Sequence, residues 1–363
     1  MAKLLVLVPD LRLGGFEKNR VQLCNAFAEQ GHDVTLVALR DKGELAAALS
    51  TDVTLLTLGG VRSFAAIRVL SRVIRDHKPD AVLAGLWPLT FLAAASHMLS
   101  GRIGRLVLSE HNQLSVQYGD WGMRHRIMLR ATLAFACRVS SANGAVSLGV
   151  VRDLARLTMM NETRFHVLYN PLRVLPPPSS AEQDVAEASW RKPRGYRVVT
   201  VGTLKAQKNH KLLIDAIAEV EGRKAEVIIV GDGPMRAELE KYIDARGLGD
   251  TCQLVGKHEN PSAFFQSADL FVLSSNYEGL PNVLVEAMGF GLPIVSTDCP
   301  SGPDEILQGG TFGTLVPVGD TQALSRAITQ ALRADHDNDA LRQRAQSFSP
   351  ALAAKRYLNL LVE

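Results

Sequence analysis

The pair of residues best spaced for shared chemistry lies in NYEGLPNVLVEAMGFGLPIVSTDCPSGPDEI, from Asn276 to Ile306, where Glu278 and Glu286 are separated by seven residues. The segment leaves an apolar strand and enters a helix at about Pro281 or Asn282, and proline suits a first helical turn. Gly279 lets backbone approach a ligand closely, and the free amides of a helix start attract anions. Glu286 then falls about one turn inside the helix, where a carboxylate can accept both hydroxyls of a ribose. Glu278 sits in the loop, where a sugar could lie. The plainer alternative is that Glu278 caps the helix and Glu286 is an ordinary helix residue.

Four other groups carry possible chemistry. In VGTLKAQKNH, residues 201–210, Lys208 follows a strand and a turn, where it either meets a phosphate or is simply solvated. GDGPMR, residues 231–236, follows the strand VIIV and opens a helix with Pro234 in its first turn; position 236 is Arg where a dinucleotide fingerprint needs its third glycine, which argues against NAD. LGGFEKN, residues 13–19, is a glycine-rich turn that taken alone is as well explained by an ordinary strand-to-helix connection. LVLSEHN, residues 106–112, places Glu110 and His111 just past an apolar run, at a strand end, although a lone histidine is more often structural. The cysteines Cys24, Cys137, Cys252 and Cys299 stand far apart with no CxxC pair and support neither zinc nor a redox motif. DHDND at 335–339 has an Asp-x-Asp spacing, but between two C-terminal helices it reads as a solvated loop.

The elements that must position these residues alternate between strand and helix. LLVLV at 4–8, DVTLVAL at 33–39 and AVLAGL at 81–86 are apolar runs separated by helix-period segments, the first helix spanning about Glu17 to Gln30. Such alternation implies a parallel sheet covered on both faces. Residues 81–99 are long and uncharged enough for a minimal membrane span, but Pro88 and the change of pattern favour a core strand followed by a buried helix. The alternation breaks at NPLRVLPPPSSAEQD and restarts with YRVVTVG at 196–202, AEVIIVG, TCQLVG, ADLFVLSS and PIVSTD. The expected organisation is two doubly wound, Rossmann-like α/β domains, 1–175 and 194–349, joined by a linker over 176–193 and facing across a cleft. The helical tail at about 350–363 can pack back on the first domain. A length of 363 residues suits two such cores, and 47% hydrophobic content suits packed rather than disordered chain. The formal charge of +3 gives a slight basic tilt that favours anionic partners. The opening MAKLLVLVPD reads as a buried strand, not an export signal, and a reducing cytoplasm is the expected location.

Over almost the whole chain these motifs resemble glycosyltransferase family 4, the group 1 glycosyltransferases, which retain anomeric configuration and have the GT-B fold. The resemblance rests on LGGFEKN, VGTLKAQKNH, GDGPMRAELE and, most specifically, the E-x7-E block EGLPNVLVEAMGFGLPIV. It implies a nucleotide-sugar donor, with a uridine base the commoner choice. It implies donor contacts at Gly14, Gly15, Gly202, Thr203, Lys208, Gly233, Pro234, Glu278, Gly279, Leu280, Asn282, Val283 and Glu286, and catalytic roles for His111, Lys208 and Glu278. The family usually has Gly-Arg-Leu at the entry to the second domain; here Thr203 stands in the arginine's place. The diphosphate clamp must then rest on Lys208, the amides beyond Gly279 and Lys205.

The resemblance further implies transfer of a hexosyl or N-acetylhexosaminyl group to an acceptor hydroxyl, with the leaving phosphate assisting deprotonation, and domain closure about a hinge near 171–193. No metal or cofactor is required, and no nucleic acid is expected as partner. The acceptor would be a glycan or lipid-linked sugar in the synthesis of cell-surface polysaccharide or glycolipid. Two rivals share the architecture: a sugar-nucleotide 2-epimerase and a non-catalytic nucleotide-binding subunit. Arg62, Arg68, Arg72 and Arg75, then Arg124, Arg126 and Arg130, recur among Phe64, Ile67, Leu70, Val73, Ile127 and Met128. These are either peripheral contacts for an anionic membrane face or solvated helix faces over a core stripe.

Overall fold

The structure, a computed structural model, describes all residues except 13, 42, 61–62, 173–174, 192–194, 221–224 and 363, and describes no side chain for Ser63 and Phe64. Leu13 of the glycine-rich turn, Arg62 and the Phe64 side chain, and positions 173, 174, 192 and 193 of the expected linker and hinge therefore lie outside the described residues. The chain divides into two compact units, Met1–Arg173 with Phe348–Glu363, and Val174–Ser347.

The first unit is built on a parallel sheet of β1 (Lys3–Val8), β2 (Asp33–Ala38), β3 (Val53–Thr57), β4 (Ala81–Gly85), β5 (Arg105–Glu110), β6 (Ala142–Ala145) and β7 (Phe165–Val167), in the order β3-β2-β1-β4-β5-β6-β7. Helices cover both faces, so β4, with the sequence AVLAG, is buried at every position. The helix Pro350–Val362 belongs here: Tyr357 and Ala354 join the core beside β1, and the Arg105 side chain donates to the Leu360 carbonyl at 3.1 Å.

The second unit repeats the plan with β8 (Tyr196–Val201), β9 (Ala225–Val230), β10 (Cys252–Gly256), β11 (Leu270–Leu273), β12 (Ile294–Thr297) and β13 (Thr314–Val316), ordered β10-β9-β8-β11-β12-β13. The expected linker over 176–193 is corrected here. It contains the helix Ser180–Ser189, opened by a capping box in which Ser179 and Glu182 bond each other's backbone. That helix is part of the second unit, because Trp190 behind it is buried and donates to Ser267 at 3.0 Å. The prolines 176–178 that precede it belong to no helix or strand.

Pro234 is a second correction: the helix expected to start there begins at Arg236, with Pro234 and Met235 in the turn before it. The amide of Met235 donates to the Leu204 carbonyl at 3.0 Å, which holds the turn away from helical geometry. The two basic helix faces also part company. In Ser63–His77, Ala66, Leu70 and Ile74 are buried, whereas in Met123–Val139 the expected core residues Ile127 and Met128 are exposed. Among the described residues no helix is long and apolar enough to cross a membrane.

Candidate functional site

In the second sheet the crossovers run one way from β8 through β9 to β10 and the other way through β11 to β13. The loops leaving the carboxyl ends of β8 and β11 therefore splay apart, the place where open α/β sheets receive ligands. The β8 loop runs Gly202-Thr203-Leu204-Lys205 into a short 3-10 turn, Ala206–Lys208. Lys208 folds back along Gly202, where a Cβ would stand 3.3 Å from its Cε; a side chain at 202 would displace the lysine.

The Lys208 ammonium lies 2.7 Å from Glu278 Oε1, with the two side chains 15% and 9% exposed. Glu278 is not a helix cap. Its Oε1 also accepts from Ser275 Oγ at 2.6 Å, and its backbone is clamped by the amide-to-Pro300 carbonyl bond at 2.8 Å and the return bond from Ser301 at 3.0 Å. Gln207 adds donors to the Tyr277 carbonyl at 2.7 Å and to Glu278 Oε2 at 3.4 Å. The glutamate thus fixes the lysine rather than the helix.

Four residues further on, the helix Asn282–Gly289 begins behind Pro281, which supplies no side-chain cap. The Leu284 amide donates to the Pro281 carbonyl at 3.0 Å, and the positive end of this helix favours an anion. Leu280 and Val283 are buried, so only their backbones can serve a ligand, while half-buried Glu286 stands one turn along. Gly233 joins the same edge because its position against Leu204 is too close for a side chain: a Cβ would come 2.8 Å from the Leu204 amide nitrogen. The structure therefore assembles Gly202, Lys208, Gly233, Glu278, Gly279 and the Asn282 helix start at one set of strand ends.

Thr203 is exposed and supplies no cation there. The remaining second cation is Lys205, whose pKa is lowered first by desolvation and then by Lys208. Sequence reading gave no role to Ser275, Gln207 or His210. His210 is buried at the start of its helix, and desolvation reinforced by Lys208 pulls its pKa down to about 4, so it is neutral near pH 7. Elsewhere in the unit an open depression of about 870 Å³ lies among Tyr196, Asp269, Pro293 and Arg342, at the amino ends of the strands, the wrong end of a parallel sheet for this chemistry.

In the first unit His111 does follow β5, but its ring is enclosed. Arg20, only 1% exposed, donates from Nη2 to Ser109 Oγ and to His111 Nε2, the latter at 3.0 Å. Since arginine has no acceptor, Nε2 must accept and the proton sits on Nδ1. Burial, then Arg20, pulls the histidine pKa well below its ordinary value, against a smaller opposing hydrogen bond with the Asn170 side chain. Phe16 closes over the ring edge at 4.7 Å. The neighbouring Glu110 is buried, accepts from Thr90 Oγ1 at 2.9 Å and the Trp87 amide at 3.2 Å, and is pushed up to about 7 by desolvation. Gly14 precedes the helix Gly15–Glu29 with Glu17 folded against it, and among the described residues no atom comes within 4 Å of where a Cβ on Gly15 would stand.

Both halves match known families: residues 13–174 match Glycosyltransferase Family 4 and residues 183–348 match Glycosyl transferases group 1. The chain is a family 4, group 1 glycosyltransferase. Among its relatives in this family is the Campylobacter jejuni α-1,4-N-acetyl-D-galactosaminyltransferase that acts on GalNAc-α-(1->4)-GalNAc-α-(1->3)-diNAcBac-PP-undecaprenol, 24% identical across 100% of this chain and 99% of the relative. The α-D-kanosaminyltransferase of Streptomyces kanamyceticus is 36% identical over 45% of this chain and 42% of its own. Where identity is highest, the match spans less than half the length of the relatives. Anabaena HepE in complex with UDP superposes with a TM-score of 0.82 at 20% identity, covering 99% of both chains, which shows the GT-B fold.

Proposed function

We propose that this family 4 glycosyltransferase moves a sugar from a nucleoside diphosphate donor, most simply a UDP-sugar, to an acceptor hydroxyl with retention of configuration. The observation that carries the reading is the Lys208–Glu278 pair set beside the uncapped start of Asn282–Gly289. A diphosphate arriving at the helix amides would compete with Glu278 for the lysine, and charge building on the departing phosphate would strengthen that contact. Glu286 would hold the ribose hydroxyls from its place one turn along. With Thr203 in place of an arginine, the helix amides and Lys205 carry the remaining phosphate charge. His111, its Nε2 engaged by Arg20, would shape the first unit's strand end rather than pass protons.

Front-face attack, in which the leaving phosphate takes the acceptor's proton, asks for no protein base. The UDP in HepE supports the choice of base, and the undecaprenol-linked substrate of the Campylobacter relative supports a glycan or lipid-linked acceptor in polysaccharide or glycolipid synthesis. Titration calorimetry with UDP, followed by turnover of UDP-sugars with and without lipid-linked oligosaccharides, tests the reading. Acceptor-dependent release of UDP supports it. Binding without turnover, or an altered sugar nucleotide formed from the donor alone, removes it.

A further inference from the structure

We propose that Asn276 and Asn209 are positioning residues: they tie the turn that carries Lys208 to the loop that carries Glu278, and so set the lysine's place. Their effect on turnover rests on the phosphate role proposed for Lys208. The ladder between β8 and β11 pairs Leu270 with Val198 and Phe271 with Val199, and beyond it the two loops are joined by other bonds. Asn276 is where these converge. Its backbone amide donates to the Gln207 carbonyl at 2.8 Å, its Nδ2 donates to the Ala206 carbonyl at 3.2 Å, and its Oδ1 accepts from Asn209 Nδ2 at 3.0 Å. Ser274 Oγ adds a bond to the Lys208 carbonyl at 2.9 Å.

Two features mark these bonds as serving position rather than stability. Ala206–Lys208 is a single 3-10 turn with no side-chain cap from Lys205, and such a turn has poorer hydrogen-bond geometry than an α-helix. Glu278 needs no such help, because its own backbone bonds to Pro300 and Ser301 fix it. Loss of the Asn276 side chain therefore loosens the lysine and leaves its partner in place. The second feature is the residue type at 209. Its backbone is left-handed, φ 44° and ψ 49°, where glycine is the easiest choice and asparagine is tolerated. Here the asparagine side chain is used, and it reaches Asn276 on the other loop. That bond is exposed, so water replaces it at small net cost in stability. What it secures is the spacing between two loops whose side chains act together.

The first test needs neither donor nor acceptor. Lys208 is 15% exposed and paired with Glu278, so acetic anhydride should label it slowly beside exposed Lys241, as read by peptide mass spectrometry. Asn276→Ala and Asn209→Gly should each raise the labelling of Lys208 severalfold and leave that of Lys241 unchanged. Neither should lower the melting temperature by more than roughly 2–4 °C, the shift expected from a modest hydrogen bond. In turnover, Asn276→Ala should lower kcat roughly tenfold while the Kd for UDP stays within about twofold, because the lysine is misplaced and not removed. In the Lys208→Ala background the same change should have no further effect, which a merely structural residue would not show. Labelling of Lys208 at the parental rate in both variants overturns the proposal, and so does a loss of kcat that persists at full size when Lys208 is already alanine. Because labelling is read without turnover, the role of Asn276 and the proposed function fail separately.

Discussion

The carboxyl edges of the two sheets carry polar clusters built on opposite terms. In the first unit Arg20, Ser109 and His111 bond one another, with Glu110 enclosed beside them by Thr90 and Trp87. In the second unit Lys208 is held by a single carboxylate at the rim of an uncapped helix start. Side chains that already bond one another inside protein gain little from a ligand, whereas a cation tied to one carboxylate beside the positive end of a helix can exchange that partner for an anion. On the proposed function, the first edge serves stability and the second would meet the donor phosphates. That contrast is broken if substitutions at the two edges have interchangeable effects.

The largest expected effect is Lys208→Ala, which should lower kcat by roughly 10²–10³, the loss typical of one preorganised donor to a developing oxyanion, with a smaller change in donor affinity. Steady-state kinetics check it, and a variant with near-parental kcat would deny the second edge its role. Next comes Glu110 in the first unit. Its pKa is raised from 4.5 to about 7 by desolvation, so the folded chain keeps a proton that the unfolded chain releases. The stabilisation is complete below about pH 4.5 and is lost as pH rises toward 7, about 3 kcal/mol in all as an order of magnitude. Denaturant melts of the parent and Glu110→Gln near pH 5 and pH 8 should show the parent's relative stability falling at the higher pH. A constant difference between them would mean that the carboxyl is already ionised when folded.

What the sequence made legible follows from burial. Strands β1, β4 and β11 are covered on both faces and read as apolar runs, and β2, β8 and β9 read as apolar runs interrupted by Thr35, by Arg197 and Thr200, and by Glu226. β6, with the sequence ANGA, has no β-branched residue, β7 and β13 are three residues each, and β3 is an edge strand with most positions exposed, so none carries the periodic signal. The prolines before Ser179 concealed a helix whose Ser-x-x-Glu start was itself readable. Lys208 and Glu278 were legible as residue types in motifs, but their pairing and its support from Ser275 and Gln207 depend on loops brought together by β8 and β11. Periodicity gave Met123–Val139 an apolar face and could not say that Ile127 and Met128 lie off the buried side.

Within the second edge, Glu286→Ala sharpens the division between ribose and phosphate contacts. It should weaken UDP binding about tenfold, at the lower end of 1.5–3 kcal/mol for bonds to a charged group, while a pyrophosphate ligand binds as before. Calorimetry with both ligands is the check. Equal weakening for both would place Glu286 at the phosphates or show that the helix start had moved.

The smallest effect expected is for Ser109→Ala, on the first edge. Its hydroxyl is buried, accepts from Arg20 and lies 3.3 Å from His111 Nε2. Removing it leaves a buried arginine with one acceptor fewer, a loss of about 1 kcal/mol that should lower the melting temperature by roughly 2–4 °C. Because Arg20 still reaches His111 Nε2, the ring keeps its neutral form, and kcat should stay within about twofold of the parent. A melting temperature that holds while kcat falls more than tenfold would reverse the comparison. The enclosed cluster would then take part in the reaction, and its saturation by Arg20 would belong only to the ligand-free state.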